Sequence, residues 1–398
     1  MLPSELTGTR LGREERALLQ VAREKVAGRR AGDDESALGN GELDWPKLLR
    51  LADHHGLIPL LQASLRGREP ACASEGVASD LKARARGIGI RNLQLAGEMA
   101  SVVSILNGCN VPVVPYKGAV MAHGYYGDLA LRPASDVDLL VAERDVRKAK
   151  EALLASGFAQ EREMTPEEER EYFEGNCELN FNRTGGGAHV ELHWGVLPPV
   201  YRFHLTAEEL IARAMPSNVA GARTLLMTPE DTLLALCGHG CKHRWSRLFW
   251  ILDVALLLRR DGEGLDWQTV WSRAGARGCE RMLMIGLGLA RELLGAELPE
   301  PTAARVAGDR VARRLRGWIV DWMFGGGSGL PGLLGKQVFQ LLSRERIEDQ
   351  WAWVRRCLGW MFADEGRDEP GGARLARRAV RPLRLLKDYA LDPPKARG

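Results

Sequence analysis

The chain has 398 residues, of which 45% are hydrophobic and 27% are charged, values typical of a globular protein with two or three domains. Its 55 basic and 52 acidic residues leave a net charge of only +3, so we do not expect a nucleic-acid polymer as the main ligand. The seven cysteines are irregularly spaced and do not suggest a disulfide framework, which predicts a reducing, cytoplasmic environment.

No segment is expected to cross a membrane. The N-terminal residues are soon followed by many charges, unlike a signal peptide. The longest apolar run, 248–258, is about half as long as a membrane span and contains Asp253. The sequence therefore predicts a cytoplasmic protein.

Residues 1–106 predict a helical N-terminal region. Apolar residues recur every three to four positions in 14–26, 46–66 and 81–106, which is the spacing of helices that bury one face. A loop rich in glycine and aspartate, 31–40, separates the first two helices.

Residues 107–205 predict a small mixed sheet with helices. Strands are expected at 111–115, 137–142, 178–182 and 188–194, and helices at 118–126 and 144–156. Thr165 and Pro166 should begin a further helix as its N-cap and first residue, because acidic residues follow them. The glycine-rich turn 184–187 indicates a hairpin between the last two strands.

From residue 206 onward the pattern is helical again. Helices are expected at 229–260, 267–295, 302–324, 336–362 and 371–390, with a glycine-rich linker at 325–335. We therefore predict an α+β fold in four parts: helical region 1–106, core 107–205, helical domain 206–324, and linker with basic helices 325–398.

The most informative motif is Ser135-Asp136-Val137-Asp138 at the start of the second predicted strand. Side chains alternate along a strand, so Asp136 and Asp138 point to the same face. Two neighbouring carboxylates repel each other, and a hard cation such as Mg²⁺ relieves that repulsion. The motif alone also fits a solvated surface strand.

Residues on both sides of this motif favour a phosphate-handling site. Lys117-Gly118 ends the preceding strand at a helix start, and Arg132 lies just before the acids, where it suits a phosphate or a structural ion pair equally. Glu191 lies on a later strand with His189 and His193 on the same face. Two aspartates and one glutamate can hold one or two Mg²⁺ ions.

These residues, together with the stretch 239–253, resemble the bacterial nucleotidyltransferase-like family of the DNA polymerase β superfamily. The resemblance covers roughly residues 50–260 and implies a polymerase-β-like nucleotidyltransferase core. Mg²⁺, or Mn²⁺ in its place, would be held by Asp136, Asp138 and Glu191, and Glu191 would be a metal ligand or the general base. The superfamily usually has Gly-Ser at the first motif, where this chain has Lys117-Gly118.

The implied reaction transfers a nucleoside monophosphate from a nucleoside triphosphate (NTP) to an acceptor hydroxyl or phosphate, with release of pyrophosphate. Lys117, Gly118 and Ser135 would hold the triphosphate, and Arg132 would stabilise the transferred charge. The acceptor is a small molecule, a peptide or a protein. The alternative is a non-catalytic nucleotide- or peptide-binding module with the same fold.

Two further patterns leave alternatives open. Cys237 and Cys241 lie on one helical face and His239 and His243 on another, so one zinc ion cannot easily reach all four. His239 and His243 either face the nucleotide cleft, where Lys242 adds positive charge near the phosphates, or cap helix carbonyls. The basic tail from 371 would pack on its own protein rather than on an anionic membrane, which remains the less favoured partner.

Overall fold

The computed structural model describes residues 11–29, 38, 43–66, 73–325 and 332–361. The N-terminal part is helical, as predicted, with α1 (Arg13–Ala27), α2 (Trp45–His54), α3 (Ile58–Leu65) and α4 (Glu75–Gly108). The single helix predicted at 46–66 is wrong, because Gly56 interrupts it with a φ of +70°. A β-carbon at Gly56 would lie 2.6 Å from the Phe249 ring, so only glycine fits this approach.

The centre of the molecule is a five-stranded mixed sheet. Its strands are β1 (Val113–Tyr116), β2 (Asp136–Val141), β3 (Phe158–Gln160), β4 (Glu178–Arg183) and β5 (His189–His193). The spatial order is β1-β2-β5-β4-β3, in which only β2 and β5 run parallel. The predicted hairpin is confirmed as β4–β5. Strand β3 is only three residues long and was not predicted from the sequence.

Short helices connect these strands. They are α5 (Gly118–Met121), which continues into the π-helical turn Ala122–Tyr126, then α6 (Val146–Ala155) and α7 (Pro166–Gly175). Helix α7 begins as predicted: the Thr165 hydroxyl accepts a hydrogen bond from the Glu168 amide, and the Glu168 carboxylate accepts one from the Thr165 amide.

The prediction that residues after 206 are only helical is wrong at one place. After α8 (Ala207–Arg213) the chain forms an antiparallel hairpin of β6 (Met215–Val219) and β7 (Ala222–Leu226). Ala220 and Gly221 make its turn with φ of +50° and +83°, as a two-residue hairpin turn requires. Alanine in the first turn position gave no sequence signal for this turn.

Eight helices complete the described chain: α9 (Pro229–Lys242), α10 (Leu248–Asp261), α11 (Trp267–Arg277), α12 (Glu280–Leu294), α13 (Glu300–Gly308), α14 (Arg310–Phe324), α15 (Gly332–Leu342) and α16 (Ile347–Met361). The single helices predicted at 229–260, 267–295, 302–324 and 336–362 are wrong, because each is divided into two helices. The first is divided where Arg244 and Trp245 adopt positive φ. The linker predicted to reach 335 is also wrong at its end, because α15 begins at Gly332. The helix predicted at 371–390 lies outside the described residues.

Two hydrophobic clusters organise the packing. The larger one joins the N-terminal helices to the C-terminal helices, for example through Leu18, Leu61, Leu252 and Leu283, all fully buried. The second lies between the sheet, α4 and α6. Within the described residues, no helix has the length and apolarity needed to cross a bilayer. The α+β architecture predicted from the sequence is confirmed, and a cleft remains between the sheet and the α9–α10 turn.

Candidate active site

The cleft between the sheet and the α9–α10 turn has a volume of about 580 Å³. All site residues predicted from the sequence line it, namely Lys117, Gly118, Arg132, Ser135, Asp136, Asp138, Glu191, His239, Lys242 and His243. Their roles stay predictions, but all of them line one cleft. The sheet supplies the acids, and the two helices supply an aromatic and basic wall opposite them.

The register of β2 against β5 brings the carboxylates together. Asp138 is paired with Glu191, and Asp136 is paired with His189. Paired residues on neighbouring strands point to the same face, as do residues two apart on one strand. Asp136, Asp138, Glu191 and His193 therefore share the face that borders the cleft, and the rigid sheet fixes their spacing.

Asp138 lies at the centre of this group and is only 4% exposed. Its Oδ1 atom lies 2.7 Å from Lys117 Nζ and 3.2 Å from His193 Nε2. Burial on its own would raise the pKa of Asp138, but the Lys117 charge and the His193 hydrogen bond hold the pKa well below its ordinary value. Asp138 is therefore an anion that its neighbours already compensate.

Asp136 has a different environment although it lies only two residues away. It is half-buried, and its Oδ2 atom accepts a 2.7 Å hydrogen bond from the Ser135 hydroxyl. Burial and the nearby charge of Asp138 raise the pKa of Asp136 above its ordinary value. The two aspartates are thus held in unequal states, and Asp136 is the one that gains most from a cation.

Glu191 and His193 form the next contact on β5. The imidazole Nε2 of His193 lies 3.1 Å from Glu191 Oε2. Burial favours a higher pKa for Glu191, but the hydrogen bond and charge of His193, together with the charge of Lys117, bring the pKa below its ordinary value. Burial likewise favours a lower pKa for His193, yet its hydrogen bonds, chiefly to Asp138, raise the pKa well above its ordinary value.

His193 also lines the cleft, although the sequence pattern did not assign it a role. It is 2% exposed and contacts both central carboxylates. The signal was present, because the alternation along β5 already placed His193 on the face of Glu191. What the sequence could not show was the register of β5 against β2, which brings this ring to Asp138.

Lys117 is held in an unusual backbone conformation, with a φ of +56°. Its ammonium group lies 4.6 Å from the Tyr116 ring centre as well as against Asp138. Burial would lower the pKa of Lys117, but Asp138 raises the pKa above its ordinary value, so the side chain stays charged. The cation predicted for the triphosphate therefore forms an ion pair with the central carboxylate.

Arg132 forms the structural ion pair that was one of its two predicted roles. Its Nε and Nη2 atoms donate 2.8 Å hydrogen bonds to the two oxygens of Asp253, and Tyr126 donates a 2.9 Å hydrogen bond to the same carboxylate. The guanidinium also lies 5.0 Å from the Phe249 ring centre. This buried pair fastens the segment before β2 to α10, while the phosphate role stays a prediction.

The opposite wall of the cleft is aromatic and basic. The rings of His239 and His243 lie 5.3 Å and 5.1 Å from the Trp250 ring. Burial lowers the pKa of His239 well below its ordinary value, so this ring is neutral at pH 7. Lys242 and Arg247 also line the cleft.

The structure separates the cysteines of this helix from its histidines, as the helical spacing indicated. Cys237 and Cys241 are buried in the core, where Trp245 donates a hydrogen bond to the Cys241 sulfur. In the described part of the chain, the groups with metal-ligand spacing are Asp138–Glu191–His193 and Cys177–Glu178–His193. No zinc set forms on α9 among them.

Comparison with known proteins gives a family and little more. A search of curated proteins found no match. The chain is similar to a crystal structure of an antigenic nucleotidyltransferase-like protein from Paracoccidioides brasiliensis, with 15% identity and a TM-score of 0.30 over 54% of this chain and 97% of that one. A likeness this weak carries no argument. Residues 41–295, more than half of the chain, match a family described as uncharacterised nucleotidyltransferase, and the chain therefore belongs to that family.

Proposed function

We propose that the protein is a metal-dependent nucleotidyltransferase, which moves a nucleoside monophosphate from an NTP to an acceptor hydroxyl or phosphate and releases pyrophosphate. The observation that carries this proposal is the set of three carboxylates on one sheet face, Asp136, Asp138 and Glu191, in a cleft with cationic side chains opposite. That arrangement suits a substrate with several negative charges bound through a cation. The described cysteines are free thiols, which fits a cytoplasmic site of action.

The donor atoms present fit Mg²⁺ or Mn²⁺. Ligand atoms of Asp138, Glu191 and His193 all lie within 4.8 Å of one another, and Asp136 adds a third carboxylate on the same face. Carboxylate oxygens are the ligands that these ions prefer. When bound, the ion supplies charge neutralisation for the triphosphate and makes an acceptor hydroxyl more acidic.

The remaining side chains have separate tasks in this proposal. Glu191 is ionised and half-buried, so it can hold the metal or accept the proton of the acceptor hydroxyl. Lys117 provides a positive charge for the β- and γ-phosphates, and Lys242 extends that charge along the opposite wall. Ser135 offers a hydroxyl donor, and Arg132 keeps the acidic strand in place through Asp253.

One observation favours the second candidate, a non-catalytic nucleotide- or peptide-binding module. Lys117 neutralises Asp138 at a distance of 2.7 Å, so the central carboxylate is compensated without any metal ion. Such a site could bind a ligand without using a metal for chemistry. The two candidates differ in whether turnover occurs and whether it needs a divalent cation.

The test is release of pyrophosphate from each of the four NTPs, with Mg²⁺ or Mn²⁺ and a panel of acceptors. Asp138→Asn should abolish release, while Asp80→Asn should leave it unchanged, because Asp80 lies on α4 and does not line the cleft. Tight NTP binding with no release by the wild-type protein would favour the binding module. Release that persists in Asp138→Asn would contradict the proposed site.

A further inference from the structure

His193 occupies a position that a purely structural histidine would not need. It is 2% exposed, and its Nε2 atom lies 3.2 Å from Asp138 Oδ1 and 3.1 Å from Glu191 Oε2. Adjacent ligands of an octahedral ion with bonds of about 2.1 Å lie about 3 Å apart. The nitrogen is therefore spaced from each of the two oxygens as neighbouring ligands of one ion are.

The other nitrogen of the same ring supports a ligand role. Nδ1 makes no hydrogen bond among the described residues, but it lies 3.3 Å from Glu178 Oε2. A ligand histidine almost always turns its second nitrogen towards a carboxylate or carbonyl, which fixes the tautomer and directs the free lone pair to the metal. Glu178 is placed for this task, and its side chain, 24% exposed, has room to adjust.

We propose that His193 is a nitrogen ligand of the metal site, with Asp138 and Glu191 as oxygen ligands and Glu178 as the orienting carboxylate. The ion would bind between the three ligand atoms, in the place of the Nε2 proton. That proton would be released to solvent. This inference rests on the metal site of the proposed function and adds which metal ion that site prefers. It makes the site one for a first-row transition ion, for which Mn²⁺ is the probe, in preference to Mg²⁺.

The preference follows from the chemistry of the ligands. Mg²⁺ prefers oxygen ligands and keeps several bound waters, so an imidazole ligand adds little to the affinity of a site for Mg²⁺. Imidazole nitrogen is a ligand of first-row transition ions, and their affinity for mixed nitrogen and oxygen sites exceeds that of Mg²⁺. A site with only carboxylates would lack this discrimination.

The first experiment uses the full-length wild-type protein and MnCl₂ alone, without nucleotide. Pulsed electron paramagnetic resonance of bound Mn²⁺ should show coupling to one directly bound ¹⁴N nucleus. Protein made with ¹⁵N-histidine should show the corresponding ¹⁵N coupling instead. Bound Mn²⁺ without nitrogen coupling would overturn the inference, and so would the absence of Mn²⁺ binding.

The second experiment measures selectivity by competition between Mn²⁺ and Mg²⁺. His193→Gln places an amide oxygen near the Nε2 position, so Mn²⁺ binding should weaken by about tenfold or more, while Mg²⁺ binding changes less. The matched control is His204→Gln, because His204 is exposed and does not line the cleft. An unchanged ratio of the two affinities in His193→Gln would count against the ligand role. If that variant does not fold, the ¹⁵N measurement on the wild-type protein decides alone.

Failure of this inference can be told apart from failure of the proposed function. Pyrophosphate release with bound Mn²⁺ but no nitrogen coupling would keep the transferase and remove His193 from the ligands. Nitrogen coupling without any turnover would keep the ligand role and favour a binding module.

Discussion

Breaking the buried ion pair between Arg132 and Asp253 should strongly destabilise the fold. The two side chains are 5% and 1% exposed, and two 2.8 Å hydrogen bonds join them. Asp253→Asn would leave the Arg132 charge buried without a counter-charge, and such losses cost about 3 to 5 kcal/mol. We expect the free energy of unfolding in urea to fall by that amount.

The chain offers a matched control for this experiment. Arg84 and Asp80 on α4 are also an arginine–aspartate pair, with a closest distance of 2.9 Å, but their side chains are 46% and 44% exposed. Asp80→Asn should cost less than about 0.5 kcal/mol, and high salt should reduce the cost further. Equal losses for the two variants would refute the argument that burial makes the Arg132 pair important.

The same experiment addresses the role of Arg132. If Asp253→Asn keeps the wild-type stability and only weakens NTP binding, Arg132 serves the phosphate rather than the fold. The expected result is a large loss of stability accompanied by weaker NTP binding. In that case Arg132 acts on the cleft chiefly through its ion pair with Asp253, which holds α10 against the segment that leads into β2.

Three further outcomes are expected. Lys117→Met should strengthen Mn²⁺ binding without nucleotide, because Lys117 and the ion compete for Asp138. The same variant should weaken triphosphate binding about tenfold and monophosphate binding less. Equal losses for the two phosphates, measured by calorimetry, would mean that Lys117 lies outside the site. Glu191→Gln should retain NTP binding and lower transfer by about 10²-fold, and unchanged turnover would exclude a catalytic role. Burial lowers the pKa of His55 to about 3, so the unfolded chain binds its proton first, and stability should fall as pH drops below 6.5. The loss should reach about 2 kcal/mol at pH 5. Urea unfolding of His55→Asn should lack this pH dependence, and an identical slope would contradict it.

The sequence predicted the parts of the site that depend on local spacing. Asp136 and Asp138 were placed on one face by the alternation of a strand, and the structure brings them and Glu191 to one cleft. The fold class followed in the same way, because helical and strand periodicities occupy separate stretches of the chain. Both inferences needed only the spacing of residues that are close together in the sequence.

What the sequence could not predict depends on long-range pairing. The parallel register of β2 against β5 brings His193 to Asp138, which lies 55 positions earlier (193 − 138). The partner of Arg132 lies on α10, at Asp253. The break between α9 and α10 also has no recognisable local signal in the sequence. Arg244 and Trp245, which are not glycines, adopt positive φ there, and Trp245 is fully buried.

The most direct test of the proposed transferase follows the phosphates of the substrate separately. The wild-type protein is incubated with an NTP labelled on the α-phosphate or on the γ-phosphate, with Mn²⁺ or Mg²⁺ and the acceptor panel. The account expects the α label on the acceptor and the γ label in pyrophosphate, with both signals lost in Asp138→Asn and kept in Asp80→Asn. Transfer of the γ label to the acceptor, or its release as free phosphate, would contradict it.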